Sequence, residues 1–312
     1  MKVIYGLGRL KNKFKATVAA LGVFDGFHLG HRRLVKAAVK TAMRLRLKSL
    51  VITFWPHPEN IIHPGNRLAH LISLEHRLEF FASLGVDYCL VIRFTKQFAR
   101  MRSEDFIQRV LFARMRPRVV FVGRNFRFGR NARGNTLLLN AYARALNYRL
   151  RVAPDVKSGA KLVSSSLIRR LIQQGRLREA ARFLGRPVSV LGTVIKGDSR
   201  GRRLGFPTAN INAHHEVTPS SGVYIVKVIL GRRKSFGLCY IGSRPTFKDK
   251  AEALRIEVHI FNFNRNIYGR DIHIEFIKKI REEERFTSHF ELSRRIEKDI
   301  SYARSFLKHP RL

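Results

Sequence analysis

The stretch that decides the fold is Thr17–Val35, "TVAALGVFDGFHLGHRRLV". It opens with an apolar run short enough for a buried strand, passes through glycine and aspartate, and ends in a segment with helical spacing. Two histidines three positions apart, His28 and His31, stand at the changeover with Gly30 between them. With a helix start near Leu29, both imidazoles lie at its N-terminal end, where free backbone N–H groups and a partial positive charge favour an anion. Gly30 lets a ligand approach the backbone closely. The pattern describes a phosphate site with imidazole donors added. Twelve histidines and 22 glycines in 312 residues would give H-x-G-H by accident about 0.03 times. Its place at a strand-to-helix turn makes accident a poorer account still.

Outward from this stretch, strands and helices alternate. "SLVITF", "DYCLVIRF", "RVVFVG" and "YRLRVAP" read as strands. Between them, "LEHRLEFFASL" (with Ser73 as cap), "SEDFIQRVLFARM" (with Ser103 as cap) and "TLLLNAYARALN" read as helices. Short apolar strands alternating with helices predict an α/β fold with a mostly parallel sheet covered on both faces. Ligands on such sheets bind beyond the carboxyl ends of the strands. The chemistry is therefore expected in "DGFHLGH", "WPHPE" and "RNFRFGRNARGN", which follow "GVF", "ITF" and "FVG".

After Gly185 the strands become short and close-spaced: "SVLGTVI", "GVYIVKVIL", "SFGLCYI", "RIEVHIFNF" and "DIHIEFIKKI", then a helical run "FELSRRIEKDISYARSFL". This predicts a small antiparallel barrel closed by a C-terminal helix, and two domains, 1–185 and 186–312.

Hydrophobic residues make up 45% of the chain, a globular fraction that excludes a disordered chain. No apolar run approaches the ~20 residues of a membrane helix, and "MKVIYGLGRLKNKFK" lacks the apolar core and cleavage site of a secretory signal. Two distant cysteines, Cys89 and Cys239, make neither a disulfide framework nor a metal cluster, and fit half-buried thiols in a reducing cytoplasm. The net charge is +39. Such an excess attracts polyanions of any kind, nucleic acid included, and equally fits a compositional bias of a whole proteome. No recognisable nucleic-acid module accompanies it. The residues specify no oligomeric state.

Further candidates follow the first. In "KLVSSSLIRRLI", Ser164–Ser166 offer hydroxyls and a helix cap, and Arg169 lies one turn into the helix, its guanidinium suited to phosphate oxygens. Alone this is also an ordinary capped basic helix. The chain has no G-x-x-x-x-G-K-[ST] loop. "KGDSRGRRLGFPTAN" offers instead Gly197, Gly201 and Gly205 in a basic loop, then an extended segment in which Thr208 and Asn210 face the same way. Two hard oxygens there suit Mg²⁺, and a β-turn with local backbone bonds is the plainer alternative. In "RIEVHIFNF", Glu257 and His259 point opposite to Ile256, Val258 and Ile260. A glutamate on that face is most commonly just solvated. Beside ATP it would serve as a general base, and His259 is expected to be structural.

"GVFDGFHLGH", "TFWPHP", "VGRNFRFG" and "SSSLIR" resemble the Rossmann-like nucleotidyltransferase half of the bacterial bifunctional riboflavin kinase/FAD synthetases. "GTVIKGDSRGRRLGFPTANI", "GVYIV", "IGSRPTF", "IEVHIFNFNRNIYG" and "REEERF" resemble their flavokinase barrel, in the family's order. The resemblance implies a cytoplasmic enzyme that takes ATP with Mg²⁺, riboflavin and FMN, and makes FMN and FAD; the alternatives are a chain that retains one of the two activities or a basic nucleic-acid-binding protein built on the same scaffold. It implies His28 and His31 at the α/β-phosphates, with Gly22, Asp25, Gly30 and Asn125 also binding nucleotide or phosphate. It implies Ser164 and Arg169 on the departing pyrophosphate, Gly197, Gly201 and Gly205 around the second ATP, and Thr208 and Asn210 on the metal. Glu257 is implied as the kinase base and Arg281 as a flavin-side residue. The chain departs from the family pattern at Thr95, Tyr240, Asn262 and Asn264, outside those motifs.

Overall fold

The structure is a computed structural model that describes residues 1–10, 14–65, 68–197, 201, 205–214, 216–243 and 254–309. Parts of three stretches quoted above, Lys11–Lys13, Asp198–Arg200 with Arg202–Leu204, and Arg244–Phe247, lie outside the described residues. The chain divides into two compact units, Met1–Ser165 and Ser166–Leu312. The division by contacts falls between Ser165 and Ser166.

The first unit holds a six-stranded parallel sheet: β1 (Lys2–Tyr5), β2 (Thr17–Leu21), β3 (Lys48–Trp55), β4 (Tyr88–Arg93), β5 (Pro117–Gly123) and β6 (Arg149–Ala153), in the order β1-β4-β3-β2-β5-β6. Every residue of β2 is buried, which is why it reads as a continuous apolar run. Alternate residues feed two cores. Val18, Ala20, Val51 and Val91 pack with Leu34, Val35 and Ala38 of α1 (Leu29–Arg44). Ala19, Leu21, Ile52 and Ile92 pack on the other face with Phe106 and Leu139. Cys89 and Cys239 are free and fully buried rather than half-buried, and burial pushes the Cys89 thiol up to about 12.

The other helices of this unit are α2 (Pro58–Ile62), α3 (Leu74–Ser83), α4 (Lys96–Ala99), α5 (Ser103–Asp105), α6 (Ala113–Met115) and α7 (Thr136–Ala145). Ser73 caps α3 as expected, its hydroxyl accepting from the His76 N–H. Ser103 does not cap. It is the first helical residue, buried against Gly129, and its hydroxyl donates to the Phe128 carbonyl. A tertiary partner has taken the side chain a cap would need. The expected single helix is broken, with a π-helical turn over Phe106–Phe112 joining α5 to α6.

In the second unit, Ser166 onward, lie most of α8 (Ser165–Gln173) and α9 (Leu177–Leu184). The small β7–β8 hairpin (Lys157–Ser158 and Lys161–Leu162) lies in the first unit, before α8, and a closed antiparallel barrel follows α9. Its strands are β9 (Ser189–Ile195), β10 (Ala209–Asn212), β11 (Gly222–Leu230), β12 (Arg233–Ser243), β13 (Leu254–Ile260) and β14 (Asp271–Arg281). The barrel order is β10-β13-β12-β11-β14-β9. The sequence shows five of these strands; β10, four residues beginning just after Pro207 and Thr208, closes the ring. The last helix, α10 (His289–Lys308), is capped by Ser288, and its Ala303 joins a buried cluster with Val223, Ile225, Leu238 and Phe261.

Candidate active sites

In the first sheet the chain runs outward in both directions from β2, so the strand order switches between β2 and β5. A doubly wound sheet opens its crevice at such a point, outside the carboxyl ends of the strands. The β2 end carries the His28–His31 turn and the β5 end carries Asn125. Both line one cavity of about 1450 Å³. That exceeds the ~300–1,000 Å³ of a site for one drug-sized ligand and leaves room for two substrates.

The loop from β2 to α1 is tightly folded, with positive φ at Phe24, Gly26 and Phe27. A side chain on Gly26 would place its Cβ 2.5 Å from Leu71. The loop is braced from behind: the Val23 carbonyl accepts from the Thr53 hydroxyl and from the fully buried Arg77. Asp25, expected among the nucleotide ligands, is buried and does not line the cavity. Its Oδ1 accepts from the Leu71 N–H, and its carbonyl accepts from the Ser165 hydroxyl. It shapes the loop.

His28 is the N-cap of α1, its Nδ1 accepting from the His31 N–H at 3.3 Å. The neutral ring then carries its proton on Nε2. The rings stack with centroids 3.7 Å apart, and His31 also meets Phe24 edge-on. Gly30 lies against this stack, and a Cβ there would come 3.2 Å from His28 Cε1. Burial lowers the His28 imidazolium to about 4, against a partial upward pull from Asp25. Burial, then the neighbouring His28 and Arg77, hold His31 well below the ordinary range. Both rings are therefore neutral donors at neutral pH. His31 Nδ1 is buried and has no hydrogen-bond partner among the described residues. An orphaned ring nitrogen beside a helix N-terminus is what an anion site with imidazole donors requires.

This pair makes the first unit acid-sensitive. Between pH 6.5 and 4 the unfolded chain binds the His28 proton and the native chain does not, so stability is full above 6.5 and falls as pH drops toward 4. The loss for His28 is on the order of 3 kcal/mol. His28→Asn keeps a capping side chain and removes this contribution. Its denaturant midpoint, followed by Trp55, the chain's single tryptophan, is expected to change less between pH 7.5 and 5 than that of the wild type.

Gly22 and Ser164 line the same cavity. Arg169 lies on α8 in the second compact unit. The sequence reading missed two parts of the wall. One is aromatic: Phe94 and Phe98, which stand with Phe54, Phe126 and Phe128 of the quoted stretches. The other is cationic: Lys96 and Arg100, which follow β4. The rule that ligands sit beyond strand ends applies to β4 as well, and "FTKQFAR" after "VIR" carried the signal.

In the barrel, β10 lies between β9 and β13, with Asn210 directly opposite Glu257. The Thr208 hydroxyl donates to Glu257 Oε2 at 2.9 Å. Arg255 Nε lies 2.6 Å from Glu257 Oε1 and donates to Asn210 Oδ1 at 3.3 Å. The structure thus brings Thr208, Asn210 and Glu257 together around a guanidinium that the sequence reading passed over, although Arg255 is two residues from Glu257 on one strand face. Glu257 is not an open surface group; its side chain is 17% exposed. Gly197 packs on the Asn210 amide, where a Cβ would come 2.0 Å from Nδ2, and one on Gly201 would come 3.0 Å from Thr208 Oγ1. Gly205 has φ +84, a left-handed turn leading into the extended segment. His259 is structural, its Nδ1 bonded to the Pro207 carbonyl at 2.9 Å. Arg281 pairs with buried Asp299 of α10 at 2.8 Å and donates to the Glu282 carbonyl.

The sequence model of the FAD synthetase family matches residues 10–167, and that of riboflavin kinase matches 184–307. The bifunctional riboflavin kinase/FMN adenylyltransferase of Escherichia coli K12 is 35% identical over 98% of each chain. That of Listeria monocytogenes is 38% identical over 93% of this chain and 92% of its own. A crystal structure from Streptococcus pneumoniae, described as a macrolide-efflux protein, is 28% identical with a TM-score of 0.83, covering 97% of this chain and 99% of that one. Among the described residues no helix is long and apolar enough to cross a membrane. Two domain matches in order and full-length relatives place the chain in the bifunctional riboflavin kinase/FMN adenylyltransferase family.

Proposed function

We propose that the second unit transfers the γ-phosphoryl group of ATP to riboflavin, giving FMN and ADP, and that the first joins FMN to the AMP part of ATP, giving FAD and pyrophosphate. The observation that carries the reading is the neutral histidine pair with its orphaned ring nitrogen at the switch point of a cavity large enough for two substrates.

In the first reaction site an FMN phosphate oxygen attacks the α-phosphorus of ATP and pyrophosphate leaves. No protein nucleophile is needed, so catalysis is positioning and charge stabilisation. His28, His31 and the N–H groups that open α1 hold the phosphate oxygens as charge builds. Asn125 and Ser164 add neutral donors. The phenylalanine wall suits a flat flavin ring.

In the barrel, Glu257 takes the proton from the ribityl 5′-hydroxyl as that oxygen attacks the γ-phosphorus. The oxygens of Thr208 and Asn210 are hard ligands of the kind that would hold a small cation, and the bare Gly197 lets the Asn210 amide lie close against the backbone. Mg²⁺ held there with ATP would neutralise phosphate charge. Arg281 faces the flavin.

Incubating the protein with riboflavin, ATP and Mg²⁺ and separating the flavins is expected to show FMN and then FAD. FMN alone would leave only the kinase, and neither product would refute the reading.

A further inference from the structure

The cavity of the first unit is lined by a row of rings with cations beside it. Phe54, Phe98, Phe106, Phe128 and Phe126 follow one another with centroids 6.2, 6.3, 5.2 and 5.6 Å apart, and all five line the cavity. Lys96 and Arg100 stand two residues either side of Phe98, and Arg127 and Arg130 stand within two residues of Phe128. All four cations line the same cavity and are exposed. Lys96 and Arg100 follow β4, Arg127 and Arg130 follow β5, and two strands separate β4 from β5 in the sheet. The two segments are nonetheless joined. The Arg130 N–H donates to the Met101 carbonyl at 2.7 Å, and the Ser103 hydroxyl donates to the Phe128 carbonyl, with Gly129 packed against Ser103. Backbone contacts, not counter-charges, gather these cations.

Among the described residues, the side chains of Lys96, Arg100, Arg127 and Arg130 have no ion pair and no hydrogen bond. Of the other charged residues on the described lining, Arg124 and Asp155 face each other at 3.6 Å, and Glu59 is the remaining carboxylate. His28 and His31 are neutral and add no charge. Like charges held together without partners repel one another, and an anion in the cavity relieves that repulsion.

The row of rings suits a flavin whether or not it is phosphorylated, because the ring system is the same. Charge separates the two: a phosphate monoester carries about 1.5 to 2 negative charges at neutral pH, and riboflavin carries none. We propose that Lys96, Arg100, Arg127 and Arg130 form a cationic collar that captures FMN electrostatically, and so favours it over the uncharged riboflavin that the same chain uses in its other half. A cleft lined by one sign of charge raises local substrate concentration and association rates by on the order of 10–10³. The cations are exposed, so salt weakens the effect; the screening length is already about 10 Å at about 0.1 M.

The proposal rests on the adenylyltransferase reading of this cavity, and its test separates the two. FMN adenylylation at saturating ATP is measured at about 20 and about 300 mM KCl for the wild type, the double variant Lys96→Gln with Arg100→Gln, and Arg130→Gln. Lumiflavin, which has the ring but neither phosphate nor ribityl chain, serves as an uncharged competitor that cannot be phosphorylated. At low salt the double variant is expected to raise KM for FMN about tenfold and Arg130→Gln about threefold, with kcat within twofold of wild type. At high salt the differences shrink to within twofold, and inhibition by lumiflavin is the same in all three proteins. FMN KM within twofold of wild type at low salt in both variants overturns the proposal. So does a rise that persists undiminished at high salt, which marks a direct contact, or a parallel weakening of lumiflavin, which marks a packing defect. A wild type that forms no FAD from FMN and ATP refutes the adenylyltransferase reading itself.

Discussion

His31→Ala is expected to slow FMN adenylylation by on the order of 10²–10³ while phosphorylation of riboflavin stays within twofold of wild type. His31 is the better of the two histidines to remove. His28 caps α1, so truncating it also strips a hydrogen bond from the helix start and mixes stability with chemistry. His31 donates only its backbone N–H to that cap, and alanine keeps that donor. The substitution takes away the ring whose Nδ1 is buried without a partner, along with its stack on His28 and its edge contact with Phe24. A neutral donor held in place by its helix and its ring stack is worth more to a growing phosphate charge than the same donor in water, because it needs no reorganisation as the reaction proceeds. The loss should therefore appear mainly in kcat. FAD formation within threefold of wild type, in protein that still phosphorylates riboflavin, would show that the imidazole does not touch the reacting phosphates.

The histidine site was legible because it depends on local sequence. A strand end, a helix start and an i, i+3 spacing fix where His28 and His31 lie, and the helix does begin at Leu29. The α/β order and five of the six barrel strands follow from periodicity alone for the same reason. What stayed hidden depends on contacts distant in sequence. Asp25 carries the right chemistry for a ligand, but a backbone N–H 46 residues away holds its carboxylate. Ser103 reads as a cap until the Phe128 carbonyl takes its hydroxyl. The short strand β10 has too few residues to show a period, and only its pairing with β9 and β13 reveals it. Arg281 is implied as a flavin-side residue, and its sequence neighbours do not show that Asp299, 18 residues on, holds its guanidinium. Arg255 was within reach, since the alternation that set Glu257 apart from Ile256 and Val258 also sets Arg255 on the same face.

Glu257→Gln separates the second activity from the first. The amide has the shape of the carboxylate and can still accept from the Thr208 hydroxyl, so β10 and β13 keep their contact. It cannot take a proton from a ribityl hydroxyl. Losing a positioned general base typically lowers the rate by 10²–10⁴, and FMN formation is expected to fall by about that range while FAD formation from supplied FMN is unchanged. The ion pair with Arg255 is also lost. Both side chains retain some solvent, 17% and 23%, and Asn210 still accepts from Arg255, so the guanidinium is not stranded and the barrel should fold. If Glu257 only held Arg255 and Thr208 in place, the isosteric amide would preserve much of that geometry and the rate would drop less than tenfold. A drop of 10² or more in a folded barrel, with the other half of the chain working normally, assigns the proton to this carboxylate. Phosphorylation within tenfold of wild type assigns it elsewhere.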